Sequence, residues 1–369
     1  DADRPIHWER AQGGDNTELM CPMYASQEWC ERYAANPEKT KPLIQCEYSH
    51  AMGNSCGGFK EYWDLVRKYP KFQGGFIWDY VDQALHGKDK QGRDIYTYAG
   101  DYNDYDNSED QNFNCNGLIS PDRVPNPHMY EVGYFYQNVW AEDVDMRKGK
   151  IAVRNENFFK DLKNVKMVWT LLADGEQVQT GIYNDLNIAP QQSEVFTLPF
   201  DLDKEDYVDK ELLLNIDFRL KKAEPLMDAN QLVAYRQFVI TKFLNNHEEE
   251  YDATAAFKIK KDKKRQVIRI TNKNMDIDFN MQTGLMSRYV VNGMSILGEG
   301  GTIRPNFWRA ATDNDMGAKI NTKYNVWKNP TLTLVSINAE KTKNKLKENQ
   351  VTVDATFEMP EVKATLKMN

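Results

Sequence analysis

The spacing of the apolar residues changes once along the chain, and that change limits what the chain can fold into. Through residues 1–138, short apolar runs alternate with stretches of helical spacing. The runs are 18–24 (ELMCPMY), 42–48 (PLIQCEY) and 74–81 (GGFIWDYV). The first two lead into 28–35 and 59–66, where apolar residues recur three and four apart. Strand and helix in alternation predict βαβ units around a parallel sheet. In a (β/α)₈ barrel the chemistry sits at the carboxyl ends of the strands. Tyr24, Glu47 and Trp78 occupy such places.

After residue 138 the helical spacing largely disappears. Segments 165–171, 211–218 and 232–240 read as strands, and Asp174-Gly175 supplies a hairpin turn. About 100 residues of short strands predict an immunoglobulin-like β-sandwich, without the cysteine pair of antibody domains. A polar linker at 245–252 precedes further strands at 267–271, 275–280 and 285–291, with Asn292-Gly293 as another turn. Segments 351–357 and 364–368 are strand-like as well. The expected organisation is multidomain, α/β then all-β: part of a TIM barrel at 1–138, a sandwich at 139–244, and the beginning of a large β-sandwich at 245–369.

Charge narrows the classes of partner. The net charge of -8 opposes a phosphate-binding surface, because nucleic-acid affinity comes mainly from Lys and Arg releasing counterions. The one basic run, 258–265, has no interleaved stacking aromatics and reads as a solvated linker. The five cysteines (Cys21, Cys30, Cys46, Cys56, Cys115) are odd in number and form no CxxC pair. They read as free thiols rather than a disulfide framework or zinc site. No stretch approaches the ~18 apolar residues of a membrane helix. Free thiols point to the cytoplasm, with the periplasm as the alternative if an export signal lies upstream.

The segment with most chemistry is 46–55, CEYSHAMGNS. It places a carboxylate, Glu47, at the end of a buried apolar strand, followed at once by aromatic, histidine and glycine positions. An ionised carboxylate so placed can attack the anomeric carbon of a sugar, as a retaining glycosidase requires. A structural salt bridge is the other reading of the same residue.

The strings CPMYA (21–25), CEYSHAMGNS (46–55), GGFIWDYVDQ (74–83) and FNCNGL (113–118) closely resemble, in order, the large bacterial β-galactosidases of glycoside hydrolase family 2. RPNFWRA (304–310) and DND (313–315) extend the resemblance toward the chain's end. It implies that Glu47 matches the nucleophile that forms the covalent galactosyl intermediate, and Tyr24 the tyrosine hydrogen-bonded to it. Met23 then matches a residue of the pocket wall, His50 a contact to substrate hydroxyls, and Trp78 the floor of the galactose pocket. Phe113 and Asn116 match a sodium-binding pair, through a main-chain carbonyl and a side-chain amide oxygen, with Asn116 also close to substrate. Asp79 and Asp82 are assigned structural roles.

The resemblance also implies what lies elsewhere. The acid/base glutamate, in an Asn-Glu dipeptide, the Mg2+ ligands and a sodium-binding aspartate are expected upstream of this chain, and a substrate-stacking tryptophan downstream. Asn155-Glu156 lies in the sandwich and is read as a surface pair. The chain alone is therefore expected to be catalytically silent, and the parent enzyme to hydrolyse β-galactosides as a homo-oligomer that binds neither nucleic acid nor membrane. A family 2 relative acting on glucuronides or mannosides, and a non-catalytic carbohydrate-binding scaffold, are the rival readings.

Overall fold

The computed structural model describes residues 3–102, 113–203, 205–242, 256–341 and 350–369, which fall into two units divided between residues 246 and 247. The expected linker at 245–252 lies outside the described residues.

In the first unit the βαβ rhythm becomes parallel strand segments side by side. α1 (Gln27–Ala35) is capped by Ser26, whose hydroxyl accepts from the Trp29 amide at 3.3 Å. β1 (Leu43–Tyr48), α2 (Phe59–Lys68) and β2 (Phe72–Ile77) follow, and β1 and β2 pair in parallel. The run at 18–24 lies on the other side of β1 through parallel bridges at Met20–Leu43 and Met23–Glu47. It forms isolated bridges rather than a continuous ladder, and Pro22 within it has no amide hydrogen to donate. Val81 pairs in parallel with Ile119, which adds a segment near 116–119 beyond β2. A hairpin of β3 (Leu85–Lys88) and β4 (Asp94–Thr97) leaves the chain between them. α3 (Pro127–Phe135) closes the barrel segment. Phe59, Leu43 and Phe72, all fully buried or nearly so, join the helices to the strands in one core.

Alternation governs the next part of the unit. β5 (Val139–Asp145), β6 (Lys150–Asn155), β7 (Val165–Ala173), β8 (Glu176–Tyr183), β9 (Ser193–Thr197), β10 (Leu212–Leu220) and β11 (Leu232–Thr241) form two sheets, ordered β5-β6-β9 and β11-β10-β7-β8. In β7 and β10 every second side chain is buried, among them Met167, Trp169, Ile216 and Phe218. These residues and Ile151, Val153 and Phe196 from the other sheet share one core. Burying a side chain of this size is worth about 1.5–3 kcal/mol, so the facing rows define the sandwich. The β7–β8 turn is the expected one: Asp174 and Gly175 both take positive φ, 50° and 84°.

The barrel segment and the sandwich meet at an aromatic and ionic joint. Arg67 on α2 donates to both oxygens of Glu156 at 3.0 and 3.1 Å, and its guanidinium lies 4.5 Å from the centre of the Trp140 ring. The Trp140 indole also donates to Glu156, at 2.9 Å. The Gln137 side-chain amide bonds the main chain of Tyr235 at both ends, its oxygen accepting from the Tyr235 amide at 2.9 Å and its nitrogen donating to the Tyr235 carbonyl at 3.2 Å. The surface reading of Asn155-Glu156 is therefore corrected. Asn155 is fully buried, with its amide donating to Lys160 and Ile188 carbonyls, and Glu156 holds the joint.

The second unit contains β12 (Lys258–Asp262), β13 (Val267–Thr271), β14 (Met275–Asn280), β15 (Met286–Val291) and β16 (Met294–Ser295), an antiparallel meander in chain order. The basic run at 258–265 is thus not a linker; its first half is β12, at the edge of this sheet. Lysines on an edge strand keep their charges in water while the backbone pairs on one side, and they discourage pairing on the other. The turn at Asn292-Gly293 is the expected one, with φ of 49° and 80°. Two short helices, α4 (Asp313–Gly317) and α5 (Ile320–Lys323), precede β17 (Thr333–Lys341), β18 (Val351–Met359) and β19 (Ala364–Met368), which make a second antiparallel sheet. Thr312 and Asp315 close a capping box on α4, and Asp315 also pairs with Arg309 at 2.9 Å. No helix among the described residues is long and apolar enough to cross a membrane.

Candidate active site

Glu47 stands where β1 runs out. The main chain beside it is fixed by the preceding parallel segment, since the Tyr24 amide donates to the Glu47 carbonyl at 2.8 Å. Two residues at these strand ends adopt the left-handed region, Tyr24 at φ 50° and Ser49 at φ 47°. A non-glycine residue there costs about 1–2 kcal/mol, and the surrounding ladder holds it in place. The turn at Tyr24 brings its hydroxyl onto the carboxylate, where it donates to Glu47 Oε2 at 2.6 Å.

His50 packs between two rings. Tyr24 meets it edge-on at 5.9 Å between ring centres, and Phe113 stacks on it at 5.5 Å with an interplanar angle of 22°. Four of the expected site residues, Tyr24, Glu47, His50 and Phe113, are thus linked by direct side-chain contact. Trp78 and Asn116 are brought alongside through the main chain. The Ala51 amide donates to the Trp78 carbonyl at 2.8 Å, and the Asp79 amide to the Asn116 carbonyl at 2.7 Å. Asn116 is almost completely buried, at 1% exposure, whereas Trp78 is half-buried. Met23 pairs with Glu47 through its backbone, but its sulfur accepts from Arg10, with Nη2 at 3.0 Å.

Burial and charge set the protonation of this group. Burial, followed by the Glu47 hydrogen bond and charge, pushes the Tyr24 phenol well above the usual tyrosine value. It therefore stays protonated and remains a donor to the carboxylate. Burial pulls His50 below the usual histidine value, opposed by the charges of Glu47 and Asp79. Asp79 is pushed up by burial, with Asp82 adding to the rise and a hydrogen bond from Gln83 opposing it. Its Oδ2 accepts from Gln83 at 2.6 Å, while Oδ1 is buried without a hydrogen-bond partner among the described residues. The sequence reading set Asp79 aside, yet its charge acts on both Tyr24 and His50. Its place directly after Trp78 was the available signal. Arg10 went unnoticed because nothing local marks it; only the fold carries it to Met23.

A cleft of about 650 Å³ is lined by Tyr24 and Met23 together with Arg10, Gln12, Trp29 and Arg32, while Glu47, His50, Trp78 and Asn116 are not among its lining residues. For a cation, the relevant donors are oxygens. The Asn116 side-chain amide oxygen and the Phe113 carbonyl are hard donors of the kind an alkali ion accepts, and Phe113 joins the group through its stack on His50. Among the described residues no three His, Cys, Asp or Glu side chains converge as a metal-ligand cluster. None of the five cysteines is in a disulfide, and burial holds the Cys21 thiol up at about 11, with neighbouring Cys46 contributing.

Comparison with known proteins fits this arrangement. Residues 1–141 match the family model for the TIM barrel domain of glycosyl hydrolases family 2. Residues 151–241 match that for domain 4 of β-galactosidase, and 271–369 that for the β-galactosidase small chain. The chain belongs to glycoside hydrolase family 2. Among its relatives is a protein of Priestia megaterium named β-galactosidase, 37% identical over 338 residues, which cover 90% of this chain and 32% of the relative. Proteins of the same name from Photobacterium profundum and Leuconostoc mesenteroides are 33% and 32% identical, over 86% and 89% of this chain. This family 2 chain spans about a third of the length of those relatives, 32% in each case. The parallel strand segments of the first unit are the part matched to the family's barrel.

Proposed function

We propose that this chain carries the nucleophile side of the active centre of a retaining β-galactosidase. The observation that supports it best is the 2.6 Å hydrogen bond from Tyr24 to Glu47, formed between two adjacent strand ends. In this reading a Glu47 oxygen bonds to the anomeric carbon as the bond to the leaving oxygen breaks. A second carboxyl, contributed by barrel sequence outside this chain, protonates that oxygen and later activates the water that releases galactose. A retaining pair stands about 5–5.5 Å apart. Tyr24 steadies the carboxylate before attack and again as it departs from the sugar. His50, as a neutral imidazole, offers one donor and one acceptor to substrate hydroxyls. Trp78 gives its flat face to the apolar side of the ring, Asn116 a polar contact, and Met23 part of the wall. A sodium ion would be held by the Phe113 carbonyl and the Asn116 amide oxygen, where it would steady substrate oxygens; magnesium would bind outside this chain.

Trapping with a 2-fluoro galactoside tests the assignment in a protein that joins this chain to the rest of the barrel. The expected label is on Glu47. A label elsewhere, or faster turnover of glucuronide or mannoside reporters than of galactoside, overturns it. Residues 1–369 alone are expected to be silent toward a chromogenic β-galactoside.

A further inference from the structure

Asn116 is immediately followed by a residue whose whole peptide is gripped by side chains from two directions. The Gly117 amide donates to Asp82 Oδ1 at 2.7 Å. The Gly117 carbonyl accepts from the Asn126 side-chain amide at 2.9 Å and lies 3.0 Å from His128 Nε2. Asp82 itself is buried, at 7% exposure, and its own amide donates to the Ile119 carbonyl at 2.9 Å. A buried carboxylate is costly unless its oxygens are engaged, so its placement against a single amide is specific.

Only glycine fits at 117. A Cβ there would stand 2.2 Å from the Asp82 amide nitrogen and 2.5 Å from the Val81 carbonyl carbon, both main-chain atoms that cannot yield. The close approach lets the Asp82 carboxylate reach the Gly117 amide. Meanwhile the Asp79 amide holds the Asn116 carbonyl, and the Asp79 carbonyl accepts from the Leu118 amide at 3.0 Å. The segment 116–118 is therefore fixed by the strand end that bears Trp78 on one side and by Asn126 and His128 on the other.

We propose that Asp82, with Asn126 and His128, is the positioning group that sets the Asn116 amide toward the sugar. This rests on the galactoside reading of the site above. Asp82 acts through the Gly117 peptide and touches no substrate. A displacement of about 1 Å at a contact of this kind costs up to about 100-fold in rate.

The test is a double-mutant cycle in a full-length protein bearing this sequence, with affinity for isopropyl thio-β-galactoside measured by calorimetry. Asp82→Ala and Asn116→Ala are each expected to weaken binding about ten-fold, and the double variant by no more than either alone, because both remove one contact. Asp82→Asn keeps an acceptor oxygen facing Gly117 and is expected to restore most of the affinity. Additive losses, or an undiminished affinity in a folded Asp82→Ala protein, overturn the proposal. A crystal structure of Asp82→Ala gives a second readout that needs no ligand. An Asn116 amide moved by about 1 Å supports the clamp, and an unmoved one overturns it. Absence of thiogalactoside binding by the unmutated protein would overturn the galactoside reading instead, and the crystal structure would still decide the clamp.

Discussion

The barrel segment and the sandwich that follows it solve opposite problems within one unit. In β7 and β10 every other side chain is buried in a nine-residue alternation, and the residues that point inward are apolar. In the barrel segment the strands are short, and the residues that close them are polar or aromatic: Tyr24 and Glu47 in mutual contact, Asp79 with one buried carboxylate oxygen that finds no hydrogen-bond partner among the described residues. Apolar burial is thus concentrated in the sandwich, and the proposed chemistry stands where Tyr24 and Ser49 take left-handed backbone conformations and the Asp79 carboxylate is partly desolvated. Such sites are commonly less stable than an apolar filling would be. Substitutions should therefore sort by region, moving either turnover or stability.

Glu47→Gln should move turnover most. Losing the proposed nucleophile in a full-length protein is expected to lower kcat by about 10⁴-fold or more, while the melting temperature stays within a few degrees. Steady-state kinetics beside a thermal melt checks both halves. A loss of stability as large as the loss of rate would break the comparison. Phe218→Ala should do the reverse. Phe218 is fully buried in the shared core, and truncating it is expected to cost about 3–5 kcal/mol, with the folded fraction retaining its turnover. Denaturant unfolding and active-site titration separate the two effects.

The joint lies between these extremes. Arg67 and Glu156 keep side-chain exposures of 23% and 16%, so solvent screens the pair in part. Arg67→Ala removes the hydrogen bonds to both Glu156 oxygens and to the Phe135 carbonyl together with the cover over Trp140, and is expected to cost about 2 kcal/mol. Arg67→Lys should recover little, because one ammonium cannot hold the carboxylate, reach the Phe135 carbonyl and lay a planar face on the indole at once. Full recovery by lysine would mean that bulk charge alone holds the two regions together.

The joint also marks the boundary of what the sequence could disclose. Period and turn chemistry are local, so the alternation of β7 and β10 and the turns at Asp174-Gly175 and Asn292-Gly293 are legible residue by residue. The strand-end positions of Tyr24 and Glu47 are legible too, because a strand followed by a helix fixes where its polar end points. Glu156, by contrast, looks like any surface acid, since Arg67 stands 89 residues away in sequence and only the packing of α2 on β5 and β6 brings them together. Asp82 escapes for the same reason, being paired to Gly117 across 35 residues. The basic run at 258–265 misleads in another way. Lysine content reports exposure, and an edge strand is exposed on its open side while still being a strand.

Within the site, the smallest predicted effect concerns proton balance rather than rate. Burial lowers the His50 pKa against the upward pull of Glu47 and Asp79. With its folded-state value below the unfolded value of about 6.5, the neutral imidazole is the form the fold favours. Its contribution to stability is then present above that unfolded value and lost as pH falls through the lower folded one. Acidification also turns a donor-acceptor pair into two donors, which in the proposed role of His50 leaves one substrate hydroxyl proton without an acceptor. Following the imidazole signals by NMR should give a midpoint below that of free histidine. Glu47→Gln should lower it further, because the carboxylate that opposes burial is gone. A midpoint above the free value would mean that the carboxylates outweigh burial, and one at the free value and indifferent to Glu47 would mean that His50 is solvated and stands apart from the carboxylate. Either way the division between a packed sandwich and a desolvated strand-end site would lose its sharpest electrostatic mark.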